Sequence, residues 1–145
     1  MKKVIIAGLL LVILIVGGAV ALMPSAKMNS NADVLALVSP FTDLSPQQFK
    51  QALVSTRYTL IDVRTVAEYG AGHLAKAEQS DYYQTQQFSK FLDSLDKNKS
   101  YLIYCRTGVR SGEAMDLMLQ KGFKSVYDLA GGYNAWVAAG YPTVQ

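Results

Sequence analysis

Apolar residues along the chain fall into two kinds of run. Tyr58 to Val63, Ser100 to Tyr104 and Ser125 to Leu129 are short, aliphatic or aromatic, and bounded by polar or glycine positions, the pattern of strands entering a core. Between them apolar positions recur at helical spacing: Phe49, Ala52 and Leu53; then Phe88, Phe91, Leu92 and Leu95; then Ala114, Leu117 and Met118 from a helix counted from Ser111. Ser45-Pro46-Gln47-Gln48 supplies an N-cap, a proline at the first helical position and a capping-box glutamine. Thr65 and Glu68 repeat the capping-box pattern ahead of a short helix to Tyr69. Gly122 after Lys121 is a stop signal, and Gly131-Gly132 opens a last helix through Trp136 to Ala139, closed by Gly140 and Pro142. Strands alternating with helices predict an α/β domain, its mostly parallel central sheet covered by helices on both faces. In such sheets ligands bind beyond the carboxyl ends of the strands, where Asp62-Arg64, Cys105 and the Leu129 to Gly132 segment all fall.

The first 23 residues follow a different pattern. Lys2-Lys3 precedes an uncharged run from Val4 to Met23, which as a hydrophobic helix is about 30 Å long at ~1.5 Å per residue, enough to cross a bilayer. Ala19 and Ala21 also fit the small-residue cleavage pattern of a signal peptide, while apolar character continuing through Leu22-Met23 favours a retained membrane anchor. With the lysines held inside, either outcome exports the rest of the chain, to the periplasm or the outer face of the plasma membrane. Residues 24–40, with Pro24, Ser25, Asn29 and Ser30, read as a linker, and residues 41–145 as one domain. The formal charge of +3 includes Lys2 and Lys3, so the remainder is near neutral and no basic stripe argues for nucleic acid.

The candidate chemistry centres on Cys105, the only cysteine, in Cys105-Arg106-Thr107-Gly108-Val109-Arg110-Ser111. A strand, a tight loop and a helix start bring backbone N–H groups and the positive end of the helix dipole toward one point. Donors, dipole and two arginines favour a reactive thiolate over an inert packing cysteine. With one cysteine and one histidine a structural zinc site lacks ligands, and no nucleotide-binding glycine motif is present, so no metal or cofactor is expected. An oxidising compartment leaves a lone cysteine as a free thiol.

These residues resemble the single-domain rhodanese family of sulfurtransferases in four separated blocks. They are Asp62-Val63-Arg64 after Thr59-Leu60-Ile61, Glu68-Tyr69 with Gly72-His73-Leu74, Cys105 to Ser111, and Leu129-Ala130-Gly131-Gly132 with Trp136. The chain departs from the family at Ala75 to Ser80, polar where a short apolar strand is usual. The resemblance implies a rhodanese-like fold and transfer of a sulfane sulfur from a thiosulfate-like anion to a thiol or cyanide-like acceptor, through a persulfide on Cys105. Arg106, Thr107, Gly108, Val109 and Arg110 then form the active-site loop. Cysteine-dependent phosphatases and arsenate reductases share the scaffold but place five residues between cysteine and arginine, where this chain has four. A third reading is an exported thiol or persulfide carrier with little turnover, serving an envelope protein. Asp62 and Arg64 either brace the loop or form a structural ion pair, with Glu68 as a possible member; Arg110 either holds the loop's shape or contacts substrate. His73 matches a position that looks structural.

Overall fold

The computed structural model describes residues 39–145. The leader or anchor expected over residues 1–23, and most of the expected linker, lie outside the described residues. Among the described residues no helix is long and apolar enough to cross a membrane.

Ten elements follow in order: β1 (Thr42–Leu44), α1 (Pro46–Leu53), β2 (Tyr58–Asp62), α2 (Val66–Gly70), β3 (Glu78–Gln79), α3 (Thr85–Ser94), β4 (Ser100–Tyr104), α4 (Val109–Gln120), β5 (Ser125–Leu129) and α5 (Gly132–Ala138). The five strands form one sheet in the order β1-β5-β4-β2-β3, and each neighbouring pair is parallel. Both capping boxes form: Ser45 with Gln48 at α1, and Thr65 with Glu68 at α2.

Period-two alternation along the strands divides the core between the two faces. Leu60, Leu102, Tyr104, Tyr127 and Leu129 turn toward Phe49 and Ala52 of α1 and Trp136 of α5. Ile61, Ile103 and Val126 turn the other way, toward Phe88 and Leu92 of α3 and Ala114 and Met118 of α4, and Cys105 belongs to this second cluster. The central strand β4 is buried on both faces from Tyr101 to Tyr104, as a parallel sheet covered by helices requires.

The departure at Ala75 to Ser80 has a definite form. A strand is present there, but it is two residues long, pairs only with Asp62 and Ile61, and lies at the sheet edge with Glu78 exposed. Polar residues suit such an edge, where a long apolar strand would invite pairing with another chain. The other edge, β1, was not marked by the sequence pattern, because three residues are too few to show alternation.

Register brings the candidate residues to one end of the sheet. Asp62 lies opposite Tyr104, and Ile103 opposite Asp128, so the chain leaving β2, β4 and β5 emerges on the same side.

Candidate active site

Cys105 is the first residue after β4, and the chain turns through Arg106, Thr107 and Gly108 before α4 begins. Gly108 is the N-cap of α4 with φ 96°, a left-handed conformation that L side chains rarely adopt. Its N–H donates to Cys105 Sγ at 3.1 Å. The cysteine itself is fully buried, so its sulfur forms the floor of the loop.

The loop is held from behind by α5. Tyr133 N–H donates to the Cys105 carbonyl at 2.8 Å and Asn134 N–H to the Arg106 carbonyl at 3.1 Å. In a trans peptide the N–H points opposite to the C=O, so these two bonds turn the N–H groups of Arg106 and Thr107 away from α5. Among the described residues the N–H groups of Arg106, Thr107, Val109 and Arg110 donate to no backbone carbonyl. Such a run of unpaired donors suits an anion. Gly132 makes the close approach possible: a Cβ there would lie 2.6 Å from the Cys105 carbonyl oxygen and 2.7 Å from Thr107 N.

Of the three arginines at this end of the sheet, two are tied down. Arg110 makes two 2.8 Å hydrogen bonds to the two oxygens of Glu68, joining α4 to α2, and its guanidinium lies 5.1 Å from the centre of the Tyr83 ring. Arg64 Nε donates to both oxygens of Asp62 at 3.0 Å, and its NH2 group donates to Asp62 at 2.6 Å and to the Gly72 carbonyl at 2.8 Å. Arg64 therefore pairs with Asp62 and not with Glu68, which is taken by Arg110. Asp62 and Arg64 make no hydrogen bond to residues 105–110; Arg64 reaches that region through the ring of Tyr133, 4.1 Å away, the residue whose N–H holds the Cys105 carbonyl. Arg106 is exposed and, among the described residues, forms no ion pair.

His73 sits apart from the thiol. Its ring stacks on Tyr69 at 3.7 Å, its Nδ1 lies 3.1 Å from the Tyr69 carbonyl, and its backbone bridges Val144. Among the described residues no three His, Cys, Asp or Glu side chains gather where a metal ion could bind.

Two open hollows flank the loop. One of about 180 Å³ lies between Arg64, Gly72, Arg106 and Tyr133; the other, of about 400 Å³, between Glu68, Tyr83, Arg106, Thr107, Val109 and Arg110.

Glu68 and Asp128 are the residues whose roles the sequence did not reveal. The Glu68 capping box hid a second task, since its Oε2 accepts from Thr65 and from Arg110 at once. The Arg110 guanidinium holds the Glu68 carboxyl down at about 2, from an ordinary 4.5. A depressed carboxyl stabilises the fold above its unfolded value, and that contribution is lost as pH falls from about 4.5 toward 2. Glu68→Gln is expected to lower stability by about 1–2 kcal/mol at pH 6, the pair being only partly buried, and to lose that acid-side dependence. Urea unfolding of both proteins at pH 3 and pH 6 checks this: equal differences at the two values would show that the pair contributes nothing through charge. Asp128 is a carboxylate on β5, turned to the Ile103 side of the sheet and 2% exposed, and among the described residues its Oδ1 has no hydrogen-bond partner.

A parallel α/β sheet with a buried cysteine beneath a tight loop, four residues separating it from Arg110, and backed by a second helix start, defines a thiol-loop domain at the carboxyl ends of its strands. The chain belongs to the rhodanese-like domain family, whose model matches residues 45–139. It is similar to the thiosulfate sulfurtransferase GlpE of Actinobacillus pleuropneumoniae, 28% identical over 102 residues that cover 70% of this chain and 92% of that one. It is also similar to the tRNA uridine(34) hydroxylase of Chlamydia abortus, 33% identical over 98 residues, but these are 64% of this chain and only 30% of that protein. Among solved structures, a rhodanese-related protein from Thermoplasma volcanium superposes with a TM-score of 0.62 at 26% identity, covering 71% of this chain and 97% of that one. At the level of the family, the rhodanese-like domain and the thiosulfate sulfurtransferase relative support an enzyme of the sulfurtransferase type.

Proposed function

We propose that the protein moves a sulfane sulfur from a small anionic donor to a thiophilic acceptor through a persulfide on Cys105. The observation that carries this is the buried Sγ with the Gly108 N–H upon it and a run of unpaired N–H groups around the loop. The Cys105 thiolate attacks the outer sulfur of a donor such as thiosulfate; the S–S bond of the donor breaks, sulfite leaves with the electron pair, and the enzyme keeps a persulfide anion. An acceptor nucleophile, a thiol or cyanide, then takes the outer sulfur and the pair returns to Cys105. The loop donors face anionic sulfur at both stages, which is where preorganised N–H groups lower a barrier most. Arg106 draws the anionic donor toward the loop. Arg110, committed to Glu68, holds the loop's shape. The cycle needs no cofactor.

The test is an intact mass of the protein after incubation with thiosulfate. A gain of one sulfur atom mapped to the Cys105 peptide, and lost on adding cyanide, is the expected result. No adduct from thiosulfate or other sulfane donors, after reducing pretreatment, would sink the proposal. The Lys2-Lys3 start and the apolar Val4 to Met23 run support a site of action outside the cytoplasm, anchored or released. Fractionating cells into soluble envelope contents, membranes and cytoplasm checks it.

A further inference from the structure

At the mouth of the loop one guanidinium has no carboxylate partner among the described residues. Arg64 with Asp62 and Arg110 with Glu68 form two closed ion pairs, whereas Arg106, without an acidic partner among the described residues, lines both hollows. Beside it two exposed apolar side chains stand among polar and charged neighbours. Tyr83 and Val109 line the larger hollow at 63% and 66% exposure, and Val66, which opens the helix carrying Glu68, is 69% exposed. Exposed large apolar side chains set around one unpaired cation are the make-up of a binding surface.

Size and depth narrow the partner. The larger hollow, about 400 Å³, holds roughly a dozen water volumes at ~30 Å³ each, far more than the five heavy atoms of thiosulfate need. The sulfur lies at zero exposure, so an acceptor has to reach it on a slender arm while the rest of it stays outside. Building on the sulfurtransferase reading, we infer that the acceptor is a cysteine on an exposed segment of a partner protein, beside an acidic residue that meets Arg106 and an apolar residue that settles against Tyr83 and Val109. A small thiol would leave Tyr83 and Val109 uncovered, and a basic segment would meet Arg106 with like charge.

The step balances without an oxidant. The sulfur of the partner's thiol forms a bond to the outer sulfur of the Cys105 persulfide anion as the thiol's proton passes to that outer sulfur, the bond between Sγ and the outer sulfur breaks, and its electron pair returns to Cys105 as thiolate. The proton leaves with the transferred sulfur, so the partner becomes the persulfide.

The experiment loads the full chain with thiosulfate, removes the excess, and verifies the persulfide by mass. Discharge is then timed against three probes at equal thiolate concentration: a peptide with cysteine between Asp and Leu, the same peptide with Lys for Asp, and 2-mercaptoethanol. The acidic peptide is expected to discharge the persulfide about 10-fold faster than the basic one, and faster than the small thiol, with the gap narrowing as salt rises. Arg106→Glu is expected to reverse the order of the two peptides. Equal rates for all three probes, or an order that Arg106→Glu leaves unchanged, would overturn the inference while leaving persulfide chemistry standing. Failure to load at all would remove the sulfurtransferase reading, and the inference with it.

Discussion

Gly132→Ala is expected to cost the domain about 3 kcal/mol and to slow sulfur loading at Cys105 by at least about 10-fold. Two separate penalties meet at this position. Its φ of +61° is a backbone conformation that costs an L residue roughly 1–2 kcal/mol. The added methyl would also stand 2.6 Å from the Cys105 carbonyl oxygen and 2.7 Å from both Arg106 C and Thr107 N, atoms of backbone that cannot swing aside as a side-chain tip can. Overpacking of that kind costs roughly another 1–3 kcal/mol. The displaced groups belong to the peptides whose carbonyls α5 holds, so relief of the clash turns the Arg106 and Thr107 N–H groups off the anion. Gly122→Ala is the control. Gly122 has φ +87° but open space around it, so it shows the conformational penalty alone, about 1 kcal/mol, with loading unchanged. Urea unfolding and the rate of persulfide formation check both variants. A Gly132→Ala protein that loads at the parental rate would mean that α5 does not set the loop.

Much of this arrangement is legible in the order of residues, for reasons that can be named. The three interior strands are read from their apolar runs, because a covered parallel sheet buries both faces of a strand. The capping boxes at Ser45 and Thr65 are local chemistry, complete within four residues, and both form. The helix behind the thiol begins at Val109, two residues before Ser111, because Gly108 in its left-handed conformation serves as the cap without a side chain to advertise it. What escaped depends on contacts between distant segments. Glu68 and Arg110 are 42 residues apart, and only the fold shows that the second, not Arg64, claims the Glu68 carboxylate. The bond between α5 and the Cys105 carbonyl is of the same kind, backbone to backbone, and leaves no mark on residue identity beyond Gly132. Asp128 did leave a mark, since it is a charge within an otherwise apolar strand.

That charge yields the second large effect. Asp128 lies between Ile103 on β4 and Asp43 on β1 in register, with the Ser111 hydroxyl of α4 beside it. Burial pushes its carboxyl up to about 7 from an ordinary 3.8, the neighbouring Asp43 adds to this, and the Ser111 hydroxyl and Leu129 N–H only partly offset it. Between about 4 and 7 the folded chain therefore keeps a proton that the unfolded chain releases. Stability falls as pH rises through that window and levels off above it. At ~1.4 kcal/mol per unit the loss is about 4 kcal/mol at most, because water and side chains adjust around the ionised group. Asp128→Asn keeps the shape and removes the ionisation. It is expected to match the parent near pH 4.5 and to exceed it by several kcal/mol at pH 8, where the parent holds a buried, poorly paired carboxylate. The window is distinct from that of Glu68, which acts below about 4.5 and with the opposite slope. Denaturation midpoints of the two proteins from pH 4.5 to 8.5 decide the matter: curves that run parallel would show that Asp128 is ionised in the folded state throughout, and that some group beside it compensates the charge.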